Sequence, residues 1–401
     1  MGKQPLKKKE VGTVGSKLAN FKNSHGFATK DNVNVKVGNA DKNLSWLVMP
    51  RGYQEALKLP GIPEGYVTTI VGHSNVGKST IVNHAIVAAQ KKGIIPVIYD
   101  TENNFDFTYA INMGFEAEPV YGEVEEEVVD VETGEITYVK KNKIINYDGN
   151  FIYFNNTLLA DRYGCNDYST GKEVKTKRSV AVIEDIAASI RELLKAQDSG
   201  EIDAGFLFVW DSVGSIGSHK SYKSPSGNNM FDAGSISQSF QEIVNDRIPR
   251  SRKVSSTYTN TLVLINKVWL DSMTAPMAQP SLSLKGGNSM YYASRLIILL
   301  GGTLKASTKK LIASSKGVNY NYGIDTKIKV LKNQLPAPYT VTYEGNMLCT
   351  AHGVLAPDEL EDYKKTYIGD ILKQLKEISD GTVTFEESDI DFTSEENGMD
   401  M

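Results

Sequence analysis

The segment Gly72-His73-Ser74-Asn75-Val76-Gly77-Lys78-Ser79 constrains this chain more than any other, because it demands a strand, a tight loop and a helix in that order. The β-branched run Gly65-Tyr-Val-Thr-Thr-Ile-Val71 leads into it, and the helix-compatible stretch Thr80 to Gln90 follows. Backbone N–H groups of such a loop converge on phosphate oxygens, while the following helix points the positive end of its dipole at them. The spacing therefore implies a nucleotide-phosphate cradle, with Lys78 reaching the β and γ phosphates and the Ser79 hydroxyl completing the shell of a magnesium ion. The alternative, a chance glycine-containing turn, requires neither the strand before nor the helix after.

A cradle of this kind is carried on a sheet, and the chain supplies the strands. Near-continuous apolar runs stand at Ile94 to Tyr99, Phe151 to Phe154, Phe206 to Trp210, Leu262 to Ile265, Leu296 to Leu300 and Ile328 to Leu331. Such runs suit an α/β fold with a central, mostly parallel sheet covered by helices on both faces. Between them, Val180, Ile183, Ile186, Ala187, Ile190, Leu193 and Leu194 recur at helical spacing within Ser179 to Ala196. Lys91-Lys92-Gly93 ends the first helix, with cations at its negative end and a glycine for the left-handed cap. Residues 118–145 break the rhythm with two alternating runs around Thr133-Gly134, which predicts a peripheral β-hairpin inserted in a core spanning 44–350.

Charge and composition bound the rest. Net charge is only -4, but residues 1–44 hold nine lysines against three acids, and residues 386–401 hold seven acids and no lysine or arginine. The first forty-three residues read as a basic arm, residues 351–385 as a helical segment, and residues 386–401 as an acidic disordered tail. Both ends have a bland reading, solvated termini, and a sharper one in which the tail competes with an anionic partner for basic surface. Cys165 and Cys349 form no metal or redox pattern, so a reducing, cytoplasmic setting is expected and both cysteines look incidental. The amino terminus does not read as a secretory signal, and no apolar run reaches the roughly eighteen residues of a membrane span.

Chemistry gathers where the apolar runs end. Asp211, closing Phe206-Leu-Phe-Val-Trp210, has the place of an acid that holds a magnesium-bound water beside Ser79. Glu102 lies just past the adjacent strand, Ile94 to Tyr99, where ligands collect in open α/β sheets, and a carboxylate there can orient or deprotonate the attacking water. Asp100 is nearer the strand and better suited to local hydrogen bonding. Asn266-Lys267 closes the next strand, presenting an amide and a cation that can sense the γ phosphate. Two long, acid-poor loops are expected on the same side. Gly214 to Ala233 carries Lys220, Lys223, Asn228 and Asn229, and Val268 to Gly287 ends in Lys285-Gly286-Gly287-Asn288. Loops of that composition suit a nucleic-acid backbone, or else have no ligand.

Taken together, residues 44–345 resemble RecA-type homologous recombinases, in particular their phage-encoded relatives. The resemblance rests on Gly72 to Thr80, Tyr99-Asp-Thr-Glu102-Asn-Asn-Phe-Asp106, Val209-Trp-Asp211-Ser212-Val213, Leu264-Ile-Asn266-Lys267, Gly286 to Arg295 and Lys329-Val-Leu-Lys332-Asn333-Gln-Leu-Pro336. It implies Glu102 as catalytic base, Tyr109 stacked on adenine, and Lys332 reaching the γ phosphate held by a neighbouring subunit. It further implies ATP and magnesium as cofactors and a helical filament on single-stranded DNA that pairs with duplex DNA, served by single-strand-binding and mediator proteins. In a phage-encoded member the compartment would be the host cytoplasm. The chain departs from the bacterial pattern at Lys267, where a glutamine is usual, and at Gln334, where a second lysine is usual. The rival classes are a hexameric helicase or other DNA motor on the same core, and a regulator that binds nucleotide without turnover. The Gly286-Gly287-Asn288 and Lys332-Asn333 segments favour the recombinase, and Lys78 and Glu102 are both retained.

Overall fold

The computed structural model describes residues 40–129, 136–224, 230–270, 282–283, 287–303, 306–315, 318–340, 342–369 and 391–397. Among them the main sheet has strands β1 (Val67–Gly72), β2 (Ile95–Asp100), β3 (Ile152–Asn155), β4 (Phe206–Asp211), β5 (Thr261–Asn266), β6 (Ser294–Leu300), β7 (Thr308–Ser315), β8 (Val318–Asn333), β9 (Glu344–Thr350), β10 (Gly353–Leu355) and β11 (Asp391–Asn397). The order is β10-β9-β8-β6-β1-β5-β4-β2-β3, and β7 pairs with β8 and β11. From β6 to β3 every pairing is parallel, and the pairings from β6 outward to β10 are antiparallel. The largely parallel, central sheet expected from the apolar runs is present.

Period-two alternation explains why those runs are apolar throughout. Phe206, Phe208 and Trp210 of β4, with Leu262 and Leu264 of β5, pack against the helix Ile183–Asp198 on one face. Leu207 and Val209, with Val263 and Ile265, pack against the helix Lys78–Gln90 on the other. A strand covered on both faces exposes neither side-chain row to water, so neither row needs polar residues.

The helix predicted from Ser179 begins at Ile183 instead. The Val182 N–H is taken by the Asp185 carboxylate at 2.9 Å, and Asp185 also accepts Arg178 at 2.7 and 3.0 Å and the Tyr168 hydroxyl at 2.8 Å. A carboxylate buried at the first turn thus stops the helix from extending backwards.

Glu118–Val129 and Ile136–Asp148 form a two-stranded antiparallel ribbon where the alternating pattern predicts a hairpin, running three residues past the predicted end. Its base is anchored by Tyr147 stacked on Phe107, with ring centroids 4.4 Å apart. The carboxyl-terminal part differs more from expectation. Residues 351–385 open with a strand, β10, and helical turns run only from Pro357 to Ile368 within the described residues. In the acidic run, β11 pairs with β7, placing Glu396 opposite Lys309 and Glu395 opposite Lys310. Composition there predicts disorder, whereas the edge of β7 supplies backbone groups for this strand to pair with. Residues 1–39 of the basic arm lie outside the described residues. Among the described residues no helix is long and apolar enough to cross a membrane.

Candidate nucleotide site

The loop from His73 to Gly77 leaves β1 at the carboxyl edge of the sheet and turns into the helix Lys78–Gln90. Gly77 has φ +92°, and a Cβ there would lie 2.7 Å from Cys349 Sγ. Both the turn and the close approach therefore demand glycine. The Lys78 ammonium donates to the His73 carbonyl. Burial pulls Lys78 below the ordinary lysine range, and Asp211 and Glu102 oppose that pull.

Beside the loop lies a cavity of about 420 Å³, a size suited to a nucleotide. Asn75, Gly77, Lys78, Ser79, Thr80 and Tyr109 form one wall. The Tyr109 hydroxyl donates to the Thr350 carbonyl at 3.0 Å, which leaves Thr80 Oγ1 as the donor in their 2.8 Å contact. Tyr320 to Ile324 of β8 and Cys349 to Ala351 at the end of β9 form the other wall. Sequence reasoning missed this second wall. Cys349 is not incidental: it fills the space above Gly77, and burial pushes its thiol up to about 12, so it packs rather than reacts. The signal for this wall was weak, an Asn/Tyr/Gly cluster at Asn319 to Gly323 with no fixed distance from the loop.

On the far side of Lys78 and Ser79, the carboxyl ends of β2, β4 and β5 bring the charged residues together. Asp211 stands opposite Asp100 in register, and Ser79, Asp100 and Asp211 line a small cavity of about 40 Å³. Asp100 is saturated by the Asn104 and Phe105 N–H groups at 3.0 and 2.9 Å and by the Tyr153 hydroxyl at 2.9 Å, a local structural acceptor as expected. Burial, reinforced by Glu102 and Asp100, lifts the Asp211 carboxyl to about 7. Glu102 accepts from the Ser212 hydroxyl and lies 2.9 Å from the Lys267 ammonium through the same oxygen, Oε1. Burial raises Glu102, but Ser212, Lys267 and Lys78 outweigh it and hold the carboxyl below the usual glutamate range. Asn266 is buried at the end of β5 beside Val71 in register.

Other expected site residues lie elsewhere. Within the described residues of the first expected loop, Ser218 caps a short helix, His219–Lys223, and a second helix, Met230–Glu242, begins before its end. Lys220 and Lys223 lie on the short helix, and Lys223 donates to both Asp167 carboxylate oxygens at 2.9 Å. Asn228, Asn229, Lys285 and Gly286 lie outside the described residues, whereas Gly287 and Asn288 start a helix, Gly287–Ala293. Lys332 does not line this chain's own cavity. It pairs in register with Ile297 and donates to the Tyr291 carbonyl at 2.6 Å, over the Tyr291 ring.

Comparison with known proteins bears on the amino-terminal part of this core. The family model for the RecA N-terminal domain matches residues 32–136, a stretch that includes Gly72 to Thr80 and Glu102. Protein RecA of Mesoplasma florum is 34% identical over 96 residues, covering 22% of this chain and 27% of that protein. Protein RecA of Roseiflexus castenholzii is 32% identical over 119 residues, 27% and 32% of the two chains. Protein RecA of Chlorobaculum tepidum is 48% identical over 59 residues, 15% and 17% of the two chains. The chain thus spans a third or less of these curated relatives, and over that part it is homologous to the RecA family. The central sheet, flanked by helices, matches a RecA-type ATPase core.

Proposed function

We propose that this chain is a magnesium-dependent ATPase that forms helical filaments on single-stranded DNA and exchanges strands with homologous duplex DNA. The observation that supports this most is the convergence of Lys78, Ser79, Glu102, Asp211 and Lys267 at the carboxyl ends of neighbouring parallel strands, beside a cavity of about 420 Å³. Homology over the matched stretch points the same way.

In this reading the loop N–H groups and Lys78 hold the β and γ phosphates, and Tyr109 lies against the base. Glu102 takes a proton from water as the water oxygen bonds to the γ phosphorus. The bond to the β–γ bridging oxygen breaks, and ADP leaves with its electron pair. Positive charge from Lys78 and Lys267 favours the oxygens on which negative charge develops. Magnesium fits the residues present. Among the described residues no cluster of His, Cys, Asp and Glu can cage a metal alone, so Ser79 and Asp211 would complete the shell of a cation that arrives on phosphate. When bound, it supplies charge that neutralises phosphate oxygens, and it favours the ionised form of Asp211.

Lys332 would act from the neighbouring subunit, linking hydrolysis to assembly. Lys220 and Lys223, with Asn228, Asn229 and the Lys285 to Asn288 segment, would contact DNA. Membership of the phage-encoded branch belongs to the same proposal and rests on the overall pattern of the motifs. Single-strand-binding and mediator partners, and work in a host cytoplasm, follow from it.

Two measurements test it. Single-stranded DNA should stimulate ATP hydrolysis, and Glu102→Gln should remove the activity while nucleotide still binds. Electron microscopy with single-stranded DNA and a slowly hydrolysed ATP analogue should show helical filaments. Closed rings alone would favour a hexameric motor and overturn the recombinase assignment.

A further inference from the structure

We infer that Ser212 is a positioning residue for the general base: its hydroxyl secures Glu102 through Oε1 and leaves Oε2 as the oxygen that accepts the proton of the attacking water. The inference rests on the hydrolytic reading above and adds to it a division of labour between the two carboxylate oxygens.

The geometry begins with the paired strand ends. β2 and β4 run in register to Asp100 and Asp211, so the residues that follow them emerge side by side. Thr101 ties the two exits together, its N–H donating to the Asp211 carbonyl at 2.7 Å and its hydroxyl lying 3.0 and 3.2 Å from the Asp211 and Ser212 carbonyls. From behind, the Trp210 indole N–H donates to Thr101 Oγ1 at 3.2 Å. Ser212 is 2% exposed, with a single χ angle and a backbone held on both sides.

A serine hydroxyl has one proton to give, and here it goes to Glu102 Oε1. Lys267 contacts the same atom. Among the described residues, Oε2 meets only Asn104 Nδ2 at 3.5 Å, a distance at which a hydrogen bond contributes little. The carboxylate is therefore divided into a held oxygen and a basic one.

The two holders differ. Lys267 is half exposed on a flexible four-carbon stem, whereas Ser212 is short and enclosed. When a γ phosphate draws the Lys267 ammonium, Ser212 alone keeps Glu102 aimed. Asp211 and Ser212 thereby serve different partners from adjacent positions, the acid facing Ser79 and the hydroxyl facing the base.

The test compares Ser212→Ala, Ser212→Thr and Glu102→Gln in the full chain, with magnesium, ATP and single-stranded DNA. It reads kcat, KM and the affinity for a fluorescent ATP analogue. Ser212→Ala should lower kcat about 10- to 100-fold with nucleotide affinity unchanged, because only the orientation of the base is lost. Ser212→Thr, which keeps a hydroxyl, should recover most of that loss. Wild-type kcat in Ser212→Ala, with Glu102→Gln inactive, would overturn the role of Ser212 and leave the hydrolytic reading standing. So would parallel losses of kcat and nucleotide affinity, or a Ser212→Thr as impaired as the alanine variant. An active Glu102→Gln would overturn the hydrolytic reading itself.

Discussion

The two walls of the nucleotide cavity are built in opposite ways. Apart from Tyr109, the first wall comes from one contiguous stretch, Asn75 to Thr80, whose shape follows from a strand end, a left-handed Gly77 and a helix start. The facing wall is assembled from β8 and the end of β9, some 240 to 270 residues later in the chain, and depends on tertiary contacts for its position. Pairing of β8 with β6 and of β9 with β8 carries that wall, and it is seated on the first by Cys349 against Gly77, Tyr109 to the Thr350 carbonyl, and the Val354 N–H donating to His84 Nε2 at 2.8 Å. Under the proposed function, the first wall is expected to be sensitive to single side chains. The second is expected to be sensitive to whatever keeps it docked.

The largest effect should come from the contiguous wall. Lys78→Ala should lower ATP hydrolysis about 10³-fold, equivalent to about 4 kcal/mol, with circular dichroism and thermal midpoint little changed. A collapse of the fold instead would mean that the loop supports the sheet as much as it binds phosphate.

The next concerns the docking of the second wall. Gly353 has φ +108°, and a Cβ there would lie 2.3 Å from His84 Nε2. Gly353→Ala should cost about 3 kcal/mol in urea unfolding and weaken nucleotide binding, although residue 353 does not line the cavity. Unchanged nucleotide affinity would break the proposed dependence of the wall on this tether.

A milder perturbation of the same tether is pH. Burial, aided by Lys91, lowers the His84 imidazole to about 4, against an ordinary value of 6.5. A depressed folded value means that the unfolded chain binds the extra proton between those limits. Stability should be full above pH 6.5 and fall as pH drops toward 4, by about 3 kcal/mol at most. Denaturant titrations of wild type and His84→Gln across that window should differ in slope, the variant being flatter.

The smallest effect is at the seam between the walls. Tyr109→Phe removes the hydroxyl that joins Thr80 to the Thr350 carbonyl and should cost about 1 kcal/mol of stability. Nucleotide affinity should fall only a few-fold, because the ring remains. A loss as large as that of Lys78→Ala would show that the seam, rather than the loop, controls binding.

How much could be read beforehand follows the same division. The strands β2, β4, β5 and β6 were legible because burial on both faces leaves near-continuous apolar runs such as Phe206 to Trp210. The positions of Glu102 and Asp211 were legible because they lie at or just past the ends of such runs, and those of Lys78 and Ser79 because a glycine-bounded turn joins β1 to a helix. The start of the Ile183 helix was not, since Asp185 stops it through Arg178 and Tyr168, residues outside the helix. Nor was the short helix bearing Lys220 and Lys223, whose capping Ser218 is held by Asp232 at 2.8 Å from a later helix. The pairing of Asp391–Asn397 with β7 depends on an edge that exists only once the sheet has formed.

By itself the sequence determined the parallel core, the strand–turn–helix at Gly72 to Thr80 and the acids at the strand ends. All three follow from local periodicity and from glycine conformations that no neighbour needs to impose. Only the tertiary structure decided what closes the cavity, that Cys349 packs on Gly77, and that Ser212 and Lys267 share one oxygen of Glu102. Those outcomes depend on distances between side chains far apart in the chain, and such distances are set by how strands register and layers pack.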